Sequence, residues 1–396
     1  MDIYQPLALL AGLSPAQFMR RHWQKKPLLV RGAIPGFKPL LSRTELFKLA
    51  CREEVESRLI VKNRESWRMK SGPFSPRSLP PLKQADWTLL VQGVDGHHLA
   101  VHQLLQQFRF VPDARLDDLM ISWAAPGGGV GPHFDSYDVF LLQASGRRRW
   151  KISQQKDLTL QQGVPLKILQ KFAPQEEFLL EPGDMLYLPP RYAHDGVAEA
   201  SVGADGKAQD CMTYSIGFKA PVAQDLAAEL LHRLAEFSED ALEASSSDQI
   251  KVIYRDVAQA ATTTPAQLPE NLMTFAQKAI QDALKDPLAL GCALGEIMTS
   301  LKPQIWFEGV DTGPALLSNS SGVSLDLKTR MMYDAHHVFM NGESYRAKGV
   351  DAKLMRALAD QRQLSAMALR KASQDALSLL ADWHAAGWIH VSKEPV

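Results

Sequence analysis

The sequence predicts a mainly β domain, a barrel or a sandwich, followed by a helical region and a small α+β module. Up to about residue 218, short apolar and β-branched runs alternate with glycine and proline turns, which is typical of barrel and sandwich strands. Beyond Phe218, apolar residues recur at three- and four-residue spacing, which indicates helices. The final segment mixes both patterns. We expect domains over 1–220, 221–305 and 306–396.

The N-terminal domain begins with predicted helices and continues in strands. Ser14-Pro15 is a good cap and first-turn pair for a helix reaching about Trp23, and a second helix covers about 44–54. A short apolar run, Leu28–Val30, lies between them. Strands are predicted, in chain order, over 58–61, 67–69, 87–91, 118–124, 139–143, 148–152, 177–180, 185–188 and 211–218.

The remainder of the chain combines helices, joints and a hairpin. Helices are predicted over 225–237 and 271–284, and the Ser- and Thr-rich stretches 245–248 and 261–265 indicate flexible joints. Asn341-Gly342 is a type I′ turn signal between strands over 331–339 and 344–347. Helices over 353–360 and 374–385 and a terminal strand over 388–391 complete a winged-helix-like module.

Composition limits the class of protein. With 396 residues, 45% of them hydrophobic, the chain can bury two or three cores. Lys+Arg and Asp+Glu are equal at 44 each, so no global field favours nucleic acid or an anionic membrane. Any contact with nucleic acid would therefore need a local basic patch.

The cysteines and the N-terminus indicate the compartment. Cys51, Cys211 and Cys292 are far apart and outside any C-x-x-C pattern, which favours reduced thiols and argues against a zinc site. The first residues lack a basic segment, and no apolar run approaches the ~20 residues of a membrane span. We expect a soluble cytoplasmic protein.

The most informative motif is His133-Phe134-Asp135, followed 59 residues after Asp135 by His194 (194 − 135). On a strand, residues 133 and 135 would project to one side, and His194 is predicted in the loop after the strand over 185–188. Two histidines and one carboxylate are the typical ligands of a non-haem Fe(II) site. Tyr137 would face the same side as Asp135 and could line a substrate mouth.

The alternative is that these are ordinary structural residues. An H-x-D tripeptide is common, and a single histidine on an apolar face is more often a hydrogen-bonded core residue than a ligand. The context favours metal binding, because the glycine-rich run 127–131 before His133 lets the backbone approach a ligand closely.

The run Arg147-Arg148-Arg149 lies on a predicted strand, where successive side chains point to opposite faces. Arg148 should therefore point to one face of the strand and its two neighbours to the other.

Several segments together resemble a known family. The chain resembles the ribosomal oxygenases of the JmjC and cupin-like group, which are Fe(II)- and 2-oxoglutarate-dependent protein hydroxylases. It is most similar to the bacterial branch, which acts on an arginine of a large-subunit ribosomal protein. The resemblance covers most of the first 220 residues, whereas the later parts match in order and length only. The segments that carry it are 21–27, 117–122, 126–137, 146–150 and 181–194.

The resemblance implies a double-stranded β-helix, then a helical dimerisation region, then a winged-helix domain. It implies that His133, Asp135 and His194 hold Fe(II), and that 2-oxoglutarate and O₂ are cosubstrates whose turnover releases succinate and CO₂. It places Arg148 inward, where its planar fork clamps the far carboxylate of 2-oxoglutarate. Ser122 would add a hydrogen bond to that cosubstrate, although a buried hydroxyl satisfied by backbone is an alternative. Tyr137 could equally be an ordinary barrel aromatic with a hydrogen-bonded hydroxyl.

Three functions stay open on the sequence alone. The favoured one is an arginine hydroxylase whose partner is a large-subunit ribosomal protein, working as a homodimer without membrane contact and without a required nucleic acid. The second is another oxygenase, namely a histidyl hydroxylase, a JmjC-type lysine demethylase or a small-molecule cupin dioxygenase. The third is a winged-helix regulator with a sensing cupin domain, which the intact triad and the modest charge of the C-terminal region disfavour.

Overall fold

The structure is a computed structural model, and it describes residues 2–63, 66–203, 206, 208–244, 252–257, 260, 261, 264, 266–284, 287–310 and 321–393. It divides into two compact units. The first unit contains Met1–Ala220 and Lys302–Trp306, and the second contains Pro221–Leu301 and Phe307–Val396. Among the described residues, none of the helices is both long and apolar enough to cross a lipid bilayer.

The described residues of the first unit form three α-helices and eleven strands. The helices α1 and α2 begin with reciprocal capping, in which Ser14 and Ser42 exchange hydrogen bonds with Gln17 and Glu45. The helices are α1 (Pro15–Arg21), α2 (Arg43–Leu49) and α3 (Leu99–Gln106). The strands are β1 (Leu28–Val30), β2 (Ser57–Asn63), β3 (Ser66–Ser71), β4 (Trp87–Val91), β5 (Leu116–Ala124), β6 (Val139–Ser145), β7 (Arg147–Ser153), β8 (Glu176–Leu180), β9 (Met185–Leu188), β10 (Ala193–Glu199) and β11 (Cys211–Phe218).

Two antiparallel sheets form the double-stranded β-helix of this unit. The larger sheet has the strand order β1-β9-β6-β11-β5-β4-β2-β3, and the smaller has the order β10-β7-β8. Leu141 and Leu186 of the larger sheet pack with Trp150 and Leu180 of the smaller sheet, so the inner faces share one buried core. The other face of the larger sheet is covered by the helices. Each large apolar side chain buried there stabilises the fold by roughly 1.5–3 kcal/mol.

The second unit begins with three helices and ends in an α+β module. Its helices are α4 (Ala223–Ala244), α5 (Glu270–Ala283), α6 (Pro287–Thr299), α7 (Gly349–Gln361), α8 (Ala366–Leu369) and α9 (Gln374–Ala385). Its strands are β12 (Ser321–Leu325), β13 (Met331–Tyr333), β14 (His337–Met340), β15 (Glu343–Arg346), β16 (Gln363–Leu364) and β17 (Ile389–Lys393). They form two sheets, β16-β12-β17 and β13-β14-β15. Leu358, Leu380 and Trp383 lie in the core of the module.

The predicted order of a mainly β domain, helices and an α+β module is confirmed. The strands over 87–91, 185–188 and 211–218 have the predicted bounds, and Asn341 and Gly342 both have the positive φ of a type I′ turn. The predicted strand over 331–339 is wrong, because β13 and β14 are separated there by a turn. The joint 245–248 and residues 262, 263 and 265 of the second joint lie outside the described residues. Helices α3, α6 and α8 and strands β10, β12 and β16 have no counterpart among the predicted elements.

Candidate metal centre

His133, Asp135 and His194 lie together in the first unit. One potential ligand atom of each lies within 4.8 Å of the others, and these three residues form the single such cluster in the part of the chain that the structure describes. The Nε2 atom of His194 is 3.6 Å from an oxygen of Asp135, and the two imidazole centroids are 4.1 Å apart. The motif residues therefore converge on one point, as their spacing predicts.

The local structure differs from the prediction at both histidines. His133 lies on no strand, because Gly131, with φ of 78°, and Pro132 interrupt the extended backbone. An isolated antiparallel bridge to His194 holds it instead, with amide-to-carbonyl distances of 2.9 and 2.8 Å. His194 in turn lies within β10, whereas the prediction placed it in a loop. Main-chain pairing between a loop and β10 therefore brings the two histidines together. The prediction was instead that a single strand carries His133 and Asp135.

Each histidine is oriented by the carbonyl two residues before it. The Nδ1 atom of His133 lies 2.8 Å from the Gly131 oxygen, and that of His194 lies 2.9 Å from the Tyr192 oxygen. A carbonyl can only accept, so both Nδ1 atoms carry a hydrogen, and in a neutral ring of this tautomer Nε2 holds the lone pair that can bind a metal. Such outer hydrogen bonds fix the ring direction and the tautomer of metal-binding histidines.

Burial keeps His194 in its neutral form. Desolvation, followed by the nearby His133, lowers the pKa of His194 to about 4, although Asp135 opposes this shift. The ring is therefore uncharged at neutral pH, which is the state that binds a metal.

Glycines are required where the loop before the motif meets β10. A Cβ on Gly129 would lie 2.6 Å from the Gly196 oxygen, and a Cβ on Gly196 would lie 2.5 Å from a ring carbon of Trp150. The Trp150 ring centroid is 5.8 Å from that of His194. The close approach of these backbones therefore sets the position of an aromatic ring beside the candidate centre.

Arg148 lies between the two sheets, as its position on β7 predicts. It is 5% exposed, and its Nε and Nη2 atoms make no hydrogen bond with any described residue. Its guanidinium lies 5.8 Å from the ring of Trp150, which shares its face of β7. Arg149 points outward and pairs with Glu177 and Glu199, so the predicted alternation is confirmed. A buried cation without a protein acceptor is costly unless an anion binds to it.

Polar side chains on the larger sheet face the same interior. Ser122 is buried and its hydroxyl lies 3.4 Å from the Thr213 oxygen, which matches the backbone-satisfied alternative. The Thr213 hydroxyl donates to Gln143 at 2.9 Å. Neither Thr213 nor Gln143 is among the predicted site residues. The sequence pattern that could have identified them is a polar residue at an inward-facing position of an otherwise apolar strand. Gln143, for example, lies two residues after Leu141 and so faces the same side.

Tyr137 lies at the rim and not in the core. It is 39% exposed, and no described residue forms a hydrogen bond with its hydroxyl. Burial of its hydroxyl end raises the pKa of Tyr137 above the ordinary value, and the carboxylates of Asp135 and Asp118 raise it further. Arg58 opposes this shift, so acidic and basic side chains both lie near the neutral hydroxyl.

Comparison with protein families gives two matches. Residues 103–226 match the model of the JmjC domain, and residues 314–390 match that of the ROXA-like winged helix. The first match contains His133, Asp135, His194, Arg148 and Ser122. The second contains β12 to β16, α7 to α9 and the first residues of β17.

Two curated relatives and one solved structure are informative. The chain is 42% identical over 212 residues to the ribosomal protein uL16 3-hydroxylase of Escherichia coli (strain K12), covering 53% of each chain. It is 34% identical over 219 residues to a probable ribosomal oxygenase of Haemophilus influenzae, covering 54% of this chain and 52% of the relative. The aligned part thus spans about half the length of these curated relatives.

The solved structure is similar along nearly the whole chain. YcfD, a ribosomal oxygenase from Escherichia coli in complex with cobalt and 2-oxoglutarate, matches with a TM-score of 0.79 and 28% identity, covering 98% of this chain and 99% of that chain. The chain therefore combines a segment that matches the JmjC domain with one that matches the ROXA-like winged helix, in an architecture similar to that of this ribosomal oxygenase.

Proposed function

We propose that this protein is an Fe(II)- and 2-oxoglutarate-dependent dioxygenase. It hydroxylates an arginine side chain of a large-subunit ribosomal protein in the cytoplasm and releases succinate and CO₂. One observation carries the proposal: the His133, Asp135 and His194 cluster and the unpaired, buried Arg148 lie in the same β-helix. A metal and an anionic cosubstrate would satisfy both features.

The donor set suits Fe(II). Two imidazole nitrogens and one carboxylate oxygen form the facial triad typical of non-haem Fe(II) oxygenases, and such a triad leaves coordination positions open. When bound, the iron supplies the O₂ activation that couples decarboxylation of 2-oxoglutarate to hydroxylation of a C–H bond. The residues of this chain would hold the metal, keep the His194 imidazole neutral and orient both imidazole rings through carbonyl oxygens.

Arg148 would bind the far carboxylate of 2-oxoglutarate. Its free Nε and Nη2 atoms lie on one edge of the planar guanidinium, which can make two parallel hydrogen bonds to a carboxylate. The Ser122 hydroxyl can assist, because its bond to the Thr213 oxygen is long at 3.4 Å and a carboxylate is a stronger acceptor. Trp150 and the surrounding leucines exclude water from this interior.

The exposed Tyr137 ring at the rim favours an arginine target. The ring offers a face on which a guanidinium can stack, since a guanidinium is planar and cationic. Because the Escherichia coli relative is named for uL16, we propose the corresponding ribosomal protein as the substrate.

The helical part of the second unit would form a homodimer. Helices α4, α5 and α6 carry apolar side chains that are exposed in a single chain, for example Leu231 at 57% and Ile280 at 61%. Exposed apolar side chains of this kind mark protein interfaces, and we propose a second copy of this chain as the partner. The other exposed apolar side chains of these helices are Leu272, Met273, Leu290 and Leu294, and Leu284 directly follows α5.

Turnover with a defined substrate tests the proposed function. Purified protein, Fe(II), 2-oxoglutarate, O₂ and uL16 from cells that lack this gene should give succinate, together with uL16 that is heavier by one oxygen atom at an arginine. His133→Ala should abolish both products, whereas the matched control His232→Ala, at an exposed position of α4, should retain them. Modification at a histidine would disprove the arginine assignment, and the absence of succinate with every ribosomal protein would disprove the function.

A further inference from the structure

Gly131 is enclosed by side chains from two distant segments. A Cβ on this residue would lie 2.6 Å from Cδ1 of Ile168 and 2.8 Å from Cζ2 of Trp67. Its φ of 78° lies in the left-handed region, which glycine adopts without strain. Its carbonyl is the acceptor for Nδ1 of His133 at 2.8 Å. The residue that orients one candidate ligand is therefore held from both sides.

Trp67 reaches Gly131 from the edge of the larger sheet. It lies on β3, the last strand of the sheet, and is paired there with Lys62 of β2. The Lys62 ammonium lies 5.5 Å from the centroid of the Trp67 ring. Among the residues described, Trp67 belongs to none of the apolar core clusters. Its contact with Gly131 is thus separate from the packing that holds the barrel together.

Ile168 approaches from the connection between β7 and β8. It is 1% exposed, and the amide of the next residue, Leu169, donates to the Pro132 oxygen at 2.8 Å. A bridge between Leu160 and Leu169 closes this connection on itself. The side-chain contact on Gly131 and the main-chain bond to Pro132 act on two successive residues directly before His133.

We propose that Trp67 and Ile168 are positioning residues for the metal site, acting on His133 through the Gly131 carbonyl. The inference rests on the proposed function, because it assigns these residues a role toward the metal. A glycine without neighbours samples many conformations, so the enclosure keeps its carbonyl directed at Nδ1. Loss of such an outer hydrogen bond typically weakens metal binding by about 10–100-fold.

Cobalt titration of the full-length, metal-free protein tests this inference, with visible absorption as the readout. Trp67→Ala and Ile168→Ala should weaken Co(II) binding by about 10–100-fold. Ile168→Val, which removes only the Cδ1 methyl and should fold normally, should have an intermediate effect, and Trp67→Phe should restore most of the affinity. Arg68→Ala, on the exposed face of the same strand, is the matched control and should bind like the wild type.

Nitrogen NMR of histidine in the same metal-free samples separates positioning from general damage. The wild type should show His133 with its hydrogen on Nδ1, and Trp67→Ala should show a mixture of tautomers while His194 stays unchanged. Folded Trp67→Ala protein with wild-type Co(II) affinity and an unchanged His133 tautomer would overturn the positioning role and leave the proposed function intact. A wild type that binds no Co(II) would instead overturn both.

Discussion

His133 and His194 are joined by their own main chains, since the amide of each donates to the carbonyl of the other. One of them belongs to an irregular loop and the other to β10 of the smaller sheet. A metal bound to both side chains would connect the same two segments that these main-chain hydrogen bonds connect. Because the segments meet only in the folded protein, the metal would bind the folded state only.

Metal binding should accordingly stabilise the protein. We expect Co(II) at about 100 times its Kd to raise the free energy of unfolding by about 2.7 kcal/mol, because a ligand that binds only the folded state stabilises it by mass action. Denaturant unfolding with and without the metal measures this effect. His133→Ala should lose the gain, and an equal gain in that variant would place the metal elsewhere.

Replacement of Arg148 by Met should separate stability from cosubstrate binding. The variant removes an unpaired buried charge, so without 2-oxoglutarate it should unfold at higher denaturant, with a gain of roughly 1–4 kcal/mol. It should also raise the KM for 2-oxoglutarate by about 10–100-fold, because charge-assisted hydrogen bonds contribute about 1.5–3 kcal/mol. Arg149→Met on the outer face is the control for both measurements. A KM equal to that of the wild type would exclude Arg148 from the cosubstrate site.

Gly196→Ala should destabilise the protein through Trp150. The new Cβ would lie 2.5 to 2.7 Å from three carbons of the indole ring, and pairing of β10 with β7 prevents the backbone from moving away. Overpacking of this kind costs typically about 1–3 kcal/mol. A second substitution, Trp150→Leu, makes room for the methyl group, so the double variant should lose less stability than the two single effects added together. Strict additivity in thermal unfolding would contradict the contact.

The stability should also depend on pH through Asp95. Burial and the neighbouring Asp118 raise the pKa of Asp95 from 3.8 to about 7, while Lys302 opposes the shift. The folded state thus favours the protonated acid, and its stabilisation, complete below about pH 4, is lost as the pH rises through about 7.

Asp95→Asn should remove this dependence, because an amide oxygen can still accept from the Leu119 amide. At about pH 8 the variant should be more stable than the wild type by on the order of a few kcal/mol. Unfolding curves between about pH 4 and 8 compare the two proteins. Parallel curves over this range would show that Asp95 is charged throughout.

The convergence of the candidate ligands was more predictable than the local structure around them. The H-x-D spacing of His133 and Asp135 and the alternation around Arg148 are short-range patterns, and both can be read directly from the sequence. The expected strand at His133 failed because Gly131-Pro132 breaks the extended backbone, and only the partner segment explains why the ligands still converge.

Other features depend on contacts between distant residues. Strand β10 escaped notice because its sequence mixes Asp195 and Gly196 with small residues, and only its pairing with β7 makes it a strand. Gln143 was not singled out because a polar residue on a strand usually faces solvent, and its burial requires the opposite sheet. Likewise Lys302 contacts Asp118 of the first unit, although it follows the helical segment in sequence.

The most direct test of the account is the intact mass of every large-subunit ribosomal protein from cells with and without this gene. We predict that one protein, the uL16 homologue, is lighter by a single oxygen atom when the gene is absent. A plasmid with the wild-type gene should restore the mass, whereas a plasmid with the His133→Ala variant should not. Identical masses in all these cells, with the protein expressed, would contradict it.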